Sequence, residues 1–114
     1  MSSPSILPQP APPAPGTLVV VSSLLAPPAG IGPLERAFLN RLGAVDGWDA
    51  YRGLQVWRDL HSPGRYVMAS WWADKTSFAR YMRSSDHQAS HRRIPQGDQA
   101  PVLESLHRYE VLCT

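Results

Sequence analysis

The stretch RYVMASWWADKTSFARYM, residues 65–82, decides the fold of this 114-residue chain. Its first eight residues are rich in aromatic and branched side chains, which is typical of a β-strand. Asp74 follows as a capping residue. The next apolar residues recur at the three- and four-residue spacing of a helix face: Phe78, Tyr81 and Met82. The stretch therefore predicts a strand that leads through a short turn into an amphipathic helix.

The rest of the chain repeats these two patterns on either side. The predicted elements, in chain order, are a strand at 17–25, a helix from Pro33 to Leu42, strands at 53–59 and 65–72, a helix from Asp74 that Ser84 interrupts and that continues to about Arg93, and a strand at 102–112. A turn at His61–Gly64 joins the two central strands. The order β-α-β-β-α-β predicts an α+β, ferredoxin-like fold with both helices on one face of an antiparallel sheet.

Both faces of the predicted sheet are apolar. Alternate residues of a strand lie on opposite faces, and in the strand at 65–72 both sets are mainly apolar: Val67, Ala69 and Trp71 on one face, and Tyr66, Met68, Ser70 and Trp72 on the other. Two helices cover only one face, and the other would leave a large apolar patch in water. We therefore expect a homodimer in which a second copy covers that face.

Length and composition restrict the class of protein. Hydrophobic residues make up 43% of the chain and charged residues 18%, which fits a single globular domain. The net charge of +2, with no basic run longer than Arg92-Arg93, argues against nucleic acid as a partner. No apolar run is long enough for a membrane span, so no membrane partner is expected. Cys113 is the single cysteine, which excludes an internal disulfide and favours a reducing, cytoplasmic location.

The N-terminal segment differs from the rest. Six of the twelve prolines lie between Pro4 and Pro15, and residues 1–34 contain no charged side chain. Proline fixes φ and removes a backbone donor, so we expect residues 1–16 to form an extended, disordered tail. The folded domain is then residues 17–114.

Residues 72–91, WADKTSFARYMRSSDHQASH, resemble the signature stretch of the antibiotic-biosynthesis-monooxygenase superfamily. Pro28–Gly30, Gly47-Trp48 and the hairpin start at 53–56 are also similar to that family, so the likeness runs from about residue 18 to 111. Within the superfamily the stretch is closest to the IsdG-type heme-degrading enzymes. The resemblance implies a dimeric α+β barrel and monooxygenase activity, with heme as the cofactor.

His91 carries the resemblance to the heme-binding branch. It stands nineteen residues after Trp72, where IsdG-type enzymes place the histidine that ligates heme iron. A neutral imidazole is a good iron ligand. Phe78 is expected to contribute to the apolar shelter of the porphyrin, and Arg92 to pair with a propionate. The alternative is a solvated histidine at a helix end.

The resemblance also implies two catalytic positions. An asparagine on the first strand of IsdG-type enzymes corresponds to Ser23, or to Ser22 if the register slips by one residue. Serine is shorter and carries a single hydroxyl. The tryptophan that distorts the porphyrin corresponds to Tyr81, which keeps an aromatic face. The expected activity is heme binding, with oxygen-dependent attack on the porphyrin.

The superfamily offers other activities. Its cofactor-free members oxidise phenolic polyketides in aromatic pockets, and this chain has many aromatic residues: Trp48, Trp57, Trp71, Trp72, Tyr66 and Tyr81. In that reading His87 or His91 is the general base. These histidines also form an i, i+4 pair that can chelate a divalent metal, although no third ligand stands at a telling spacing. A non-catalytic dimer that binds a small molecule is the third alternative.

Overall fold

The computed structural model describes residues 13–41 and 43–114. Its strands are β1 (Leu18–Leu25), β2 (Tyr51–Arg58), β3 (Arg65–Trp72) and β4 (Val102–Glu110), and its helices are α1 (Ile31–Leu39), α2 (Lys75–Met82) and α3 (Ser85–His91). Short 3-10 turns lie at Pro28–Gly30, Ala44–Gly47 and Gly97–Gln99. The predicted order of elements is confirmed. Most of the tail predicted for residues 1–16, namely residues 1–12, lies outside the described part of the chain. Leu42, the last residue of the predicted first helix, also lies outside it.

The four strands form one antiparallel sheet in the order β2-β3-β1-β4. The two middle strands pair without interruption, from Leu18 opposite Trp72 to Leu25 opposite Arg65. The ladder between β1 and β4 shifts register beyond Ser23, which is typical of a bulge. This strand order, with helices packed on one face, is the ferredoxin-like α+β fold that the sequence predicts.

Local chemistry explains where the helices begin and end. Asp74 caps α2 by accepting a hydrogen bond from the Ser77 backbone N–H at 2.7 Å. Ser84 ends that helix and caps α3, accepting from the His87 backbone N–H at 3.1 Å. The predicted interruption at Ser84 is therefore confirmed. The first helix starts at Ile31, so Pro33 is its third residue, where a missing N–H still costs no intrahelical bond.

The hairpin between β2 and β3 depends on Gly64. Its φ of +89° lies in the left-handed region, and a Cβ there would come within 2.8 Å of the Ala26 carbonyl oxygen. The two backbones are also close enough for the Ala26 N–H to donate a hydrogen bond to the Gly64 carbonyl oxygen at 2.8 Å. This close packing ties the end of β1 to the turn that sets the β2–β3 register.

The core lies on the helix face and has two parts. Around the start of β1 the buried residues are Leu18, Val20, Val45, Trp72, Phe78 and Tyr81. At the other end Ala26, Leu34 and Tyr66 are buried, with Ile31, Phe38, Val56 and Ile94 packed against them. Because even-numbered residues of β1 and β3 enter these clusters, their odd-numbered residues point to the opposite face.

Among the residues that the structure describes, no helix covers that opposite face. Val19, Val21, Val67 and Trp71 lie on it, and Trp57 on β2 and Tyr109 on β4 are 46% and 55% exposed. We call this surface the open face. Within the described residues, no helix is long and apolar enough to cross a membrane.

Leu34 and Leu39 form a matched pair for testing the packing of α1. Leu34 is 0% exposed and Leu39 is 82% exposed on the same helix. We expect Leu34→Ala to lower the free energy of unfolding by about 2–5 kcal/mol, because it opens a cavity in the core. Leu39→Ala should change it by less than about 0.5 kcal/mol. Urea unfolding of the two variants checks this, and equal losses would contradict the assigned orientation of α1.

Candidate active site between the first helix and the sheet

An open cleft of about 360 Å³ lies between α1 and the β2–β3 hairpin. Apolar and charged side chains share its walls: Glu35, Phe38, Leu39, Arg41, Leu54, Val56, Arg58 and Tyr66. The volume is within the range of sites for small organic molecules. An apolar body with a few charged groups is the usual composition of such a site.

The secondary structure explains why these side chains converge. Glu35, Phe38 and Leu39 are spaced by three and four residues, which places them on one side of α1. Leu54, Val56 and Arg58 alternate along β2 and so share the helix face of the sheet. Tyr66 follows from the hairpin register, because its Cα is paired with that of Arg58.

Glu35 joins the helix to the sheet at one end of the cleft. Its carboxylate accepts from the Tyr66 hydroxyl and from both Nε and Nη2 of Arg58, with the Nε–Oε2 distance at 3.2 Å. This geometry is the two-pronged pairing that arginine makes with a carboxylate. We call these three residues the Glu35 triad.

The triad fixes the protonation of its members. The hydrogen bonds from Arg58 and then from Tyr66 lower the pKa of Glu35. Burial, and then the hydrogen bond to Glu35, raise the pKa of Tyr66. At neutral pH the site therefore holds an ionised carboxylate, a protonated phenol and a guanidinium.

Arg41 occupies the other end of the cleft. Its Nη2 donates to Asp46 Oδ1 at 2.7 Å and its Nη1 to Oδ2 at 3.3 Å. Burial raises the pKa of Tyr51, at the start of β2, and the positive charge of Arg41 partly opposes that effect. Arg41 therefore lies near the beginning of β2, whereas Arg58 is at its end.

A second hollow lies on α3, where the sequence places the heme ligand. This groove of about 340 Å³ is lined by His87, Gln88, His91 and Arg92. His91 is exposed, and its ring centroid lies 6.0 Å from that of His87. Burial, and then the charge of His91, lower the pKa of His87. The described part of the chain contains no group of three side chains arranged to hold a metal ion.

The structure buries Phe78 and Tyr81 in the core, outside the lining of both hollows, although the Tyr81 ring lies 5.4 Å from that of His87, which lines the α3 groove. Tyr81 packs against Trp48 and Trp72 with ring centroids 5.2 Å away in each case. Phe78 packs against the other side of Trp72 at 5.3 Å. Both rings thus pack against neighbouring aromatic rings, and their contacts with a porphyrin stay a prediction.

Ser23 lies on the open face of the sheet. Val20 and Leu18 on β1 are buried beneath the helices, so Ser22 shares their face and Ser23 points the other way. His91 and Arg92 lie on the helix side, at the end of α3. Within one subunit the structure therefore does not bring Ser23 and His91 together; Ser22 is the serine on the helix face.

These placements test whether the residues fit heme. A porphyrin ligated by His91 needs apolar walls on its faces. Among the described residues, the groove around His91 is lined by α3 and its cap alone, with the Tyr81 ring packed edge-on against His87, and no lining residue stands opposite them. The side chains expected to enclose the ring are in the core or across the sheet. The residues do not fit the group in this arrangement, and heme ligation by His91 stays a prediction.

The three charged residues of the cleft have no counterpart in the sequence analysis: Glu35, Arg41 and Arg58. Of the aromatic residues considered for a substrate pocket, Tyr66 lines the cleft. Arg58 was within reach of sequence reasoning, since the turn at His61–Gly64 fixes which β2 residue lies beside Tyr66. Glu35 and Arg41 depend on how α1 packs on the sheet, which no local pattern specifies.

Sequence comparison assigns the family. Residues 17–93, most of the chain, match the antibiotic biosynthesis monooxygenase family. The chain belongs to that family. The match identifies the family and does not distinguish its IsdG-type branch, so closeness to that branch remains a prediction. A search of curated proteins finds no match.

Solved structures show the same family fold. SnoaB, a cofactor-independent oxygenase from Streptomyces nogalater, is 11% identical, with a TM-score of 0.71 over 87% of this chain and 96% of its own. A candidate antibiotic biosynthesis monooxygenase from Bordetella bronchiseptica is 16% identical, with a TM-score of 0.70 over 83% and 96%. Another from Caulobacter crescentus is 20% identical, with a TM-score of 0.69 over 86% of this chain and 92% of its own. At these identities the likeness establishes the fold alone.

Titration with hemin tests the His91 prediction directly. Heme ligation by His91 gives a saturable Soret shift at one heme per subunit that His91→Ala abolishes and His61→Ala, in the exposed β2–β3 turn, leaves unchanged. The geometry above leads us to expect weak binding, with no loss in His91→Ala relative to His61→Ala. A one-to-one complex that depends on His91 would show that our conclusion about the fit is wrong.

Proposed function

We propose that this family member is a cofactor-independent monooxygenase that oxidises a small phenolic ring to a quinone in the α1–sheet cleft. The observation that carries the proposal is the Glu35 triad at the end of an otherwise apolar cleft. The fold shared with SnoaB is compatible with this activity, which we transfer to the chain only as a proposal.

Arg58 is the group that we assign to the reacting oxygen. Glu35 occupies the Nε–H and one Nη2–H of Arg58, so three guanidinium N–H donors remain for the oxygen of a substrate phenol. Hydrogen bonds from these donors favour the ionised form of the phenol, whose proton would be released through the open mouth. Glu35 is too weak a base to take that proton fully, since Arg58 lowers its pKa.

Glu35 and Tyr66 act as positioning residues in this scheme. Glu35 holds the Arg58 guanidinium through two contacts, and the buried Tyr66 hydroxyl fixes the carboxylate from below. Phe38, Leu54 and Val56 give the ring an apolar surface. Such a preorganised cation stabilises a phenolate without reorganisation during the reaction.

The reaction balances with oxygen as the co-substrate. The phenolate transfers one electron to O₂, and the resulting radical pair forms a C–O bond at the ring carbon para to the oxygen. The peroxide takes up one proton from solvent, which replaces the one that the phenol released. Its O–O bond then breaks, and the outer oxygen leaves as hydroxide that combines with the departing ring C–H proton to give water, so the carbon becomes a carbonyl. One phenol and one O₂ give one quinone and one water.

Oxygen uptake with anthrone, whose tautomer is a three-ring phenol, tests this function. In buffer with chelator and without reductant, the protein should consume one O₂ per anthraquinone, well above the protein-free rate. We expect Arg58→Gln to lower kcat/KM by about 100-fold, and Arg58→Lys to restore part of it. Arg36→Gln, an exposed position on α1, should have little effect.

Two results would contradict the proposal. One is anthrone oxidation no faster than in buffer alone. The other is activity that appears only after a metal ion or hemin is added. Equal losses of kcat/KM in Arg58→Gln and Arg36→Gln would show that the activity does not depend on the Glu35 triad.

We also propose that two copies of the chain associate through the open face. Trp57 and Tyr109 stand exposed there beside Val19, Val21 and Val67, and a surface of this composition is unusual for a monomer. Apolar side chains of all four strands lie on this face, so a second copy of the same face is a self-complementary cover.

Sedimentation velocity at micromolar concentration tests the dimer. The parent chain should sediment at twice the chain mass. Trp57→Glu should shift it toward the monomer, because the new carboxylate would be buried without a partner. Leu60→Glu, in the exposed turn beyond β2, should remain dimeric. A parent chain that sediments as a monomer would exclude this assembly.

A further inference from the structure

Arg41 is a charged residue of the cleft that the proposed chemistry does not use. It lies near Tyr51, at the start of β2, and lines the cleft together with Leu54, while Arg58 lies four residues beyond Leu54 on the same strand. Four residues of a strand span about 13 Å. The cleft is therefore elongated, with a guanidinium at each end and an apolar floor of Leu54 and Val56 between them.

The charges of the cleft favour an anionic ligand. Two cationic side chains and one anionic side chain line it, namely Arg41, Arg58 and Glu35. At the end of the cleft beside Arg58, the last residue of β2, the Glu35 carboxylate already binds the guanidinium in two places. At the other end, Asp46 pairs with Arg41 from outside the lining of the cleft. The Asp46 carboxylate thus pairs with Arg41 without taking up space in the cleft.

Arg41 can bind a second acceptor at little cost. A guanidinium carries five N–H donors, and the contacts with Asp46 use two of them. Both members of that ion pair are exposed, and exposed pairs contribute little to stability. A ligand carboxylate can therefore share Arg41 with Asp46, or displace it, without disturbing the fold.

We propose that Arg41 is a specificity residue that binds a carboxylate on the substrate, at the end remote from the ring held by Arg58. The substrate class is then an aromatic acid with a phenolic hydroxyl at one end and a carboxylate at the other. The orientation of such a substrate, with its hydroxyl at Arg58, rests on the proposed function. Arg41 touches no reacting atom and is expected to act on affinity.

Anaerobic binding measurements test this, since turnover cannot occur without oxygen. The matched probes are 5-hydroxy-1-naphthoic acid and 1-naphthol, which differ by the carboxylate on the second ring. We expect the parent protein to bind the acid at least about tenfold more tightly, because charge-assisted hydrogen bonds to Arg41 are added. Arg41→Gln should remove the preference, and Asp46→Asn should increase it by releasing Arg41.

Arg52→Gln is the control, because Arg52 lies at the same end of β2, is exposed and is outside the cleft. Circular dichroism of each variant shows whether the fold is retained. The proposal is overturned if the parent does not prefer the acid, if it binds neither probe at millimolar concentration, or if the preference survives Arg41→Gln.

These outcomes are separate from those of the oxygenase test. If the acid binds through Arg41 but anthrone is not oxidised, the monooxygenase proposal fails and the specificity of the cleft stands. If anthrone is oxidised and the acid is not preferred, the specificity proposal fails alone.

Discussion

The two-residue alternation of β1 and β3 is the constraint on which the rest of the molecule depends. Helices pack on the face that carries Leu18, Val20 and Trp72. The neighbouring residues of each strand, one position before or after, lie on the open face. A slip of one residue would exchange the two faces. The same alternation decides that Tyr66 borders the cleft, that Ser23 does not, and that an apolar surface is left without a helix to cover it.

The cleft exists because α1 is anchored to the sheet at one end more firmly than at the other. Leu34 is buried against Ala26 and Tyr66, and beside it the Glu35 carboxylate bonds to Tyr66 and Arg58. Toward its C-terminus the helix carries the exposed Leu39, and an apolar gap opens over β2. Packing and electrostatics thus act on adjacent residues of one helix, and together they give a hollow with an apolar floor and charged ends.

The sequence predicted the elements well and the site poorly, for physical reasons. Periodicity and capping are local, so the strand at 65–72 and the Asp74 and Ser84 caps could be identified directly. Glu35 and Tyr66 are 31 residues apart, and their contact arises only from tertiary packing. Aromatic content did not distinguish Tyr81, enclosed by Trp48 and Trp72, from Tyr66 at a cavity. The spacing of His91 from Trp72 matched a heme ligand, but spacing does not provide the opposing wall.

The central claim is that small aromatic ligands bind between α1 and the β2–β3 hairpin. Amide chemical shifts of ¹⁵N-labelled protein, titrated with 1-naphthol under nitrogen, test it most directly. We expect concentration-dependent shifts at Glu35, Leu54 and Arg58, with the amides of α3 unchanged. Shifts confined to α3, around His87 and His91, would place the ligand in the other hollow and show that the α1–sheet cleft is not the binding site.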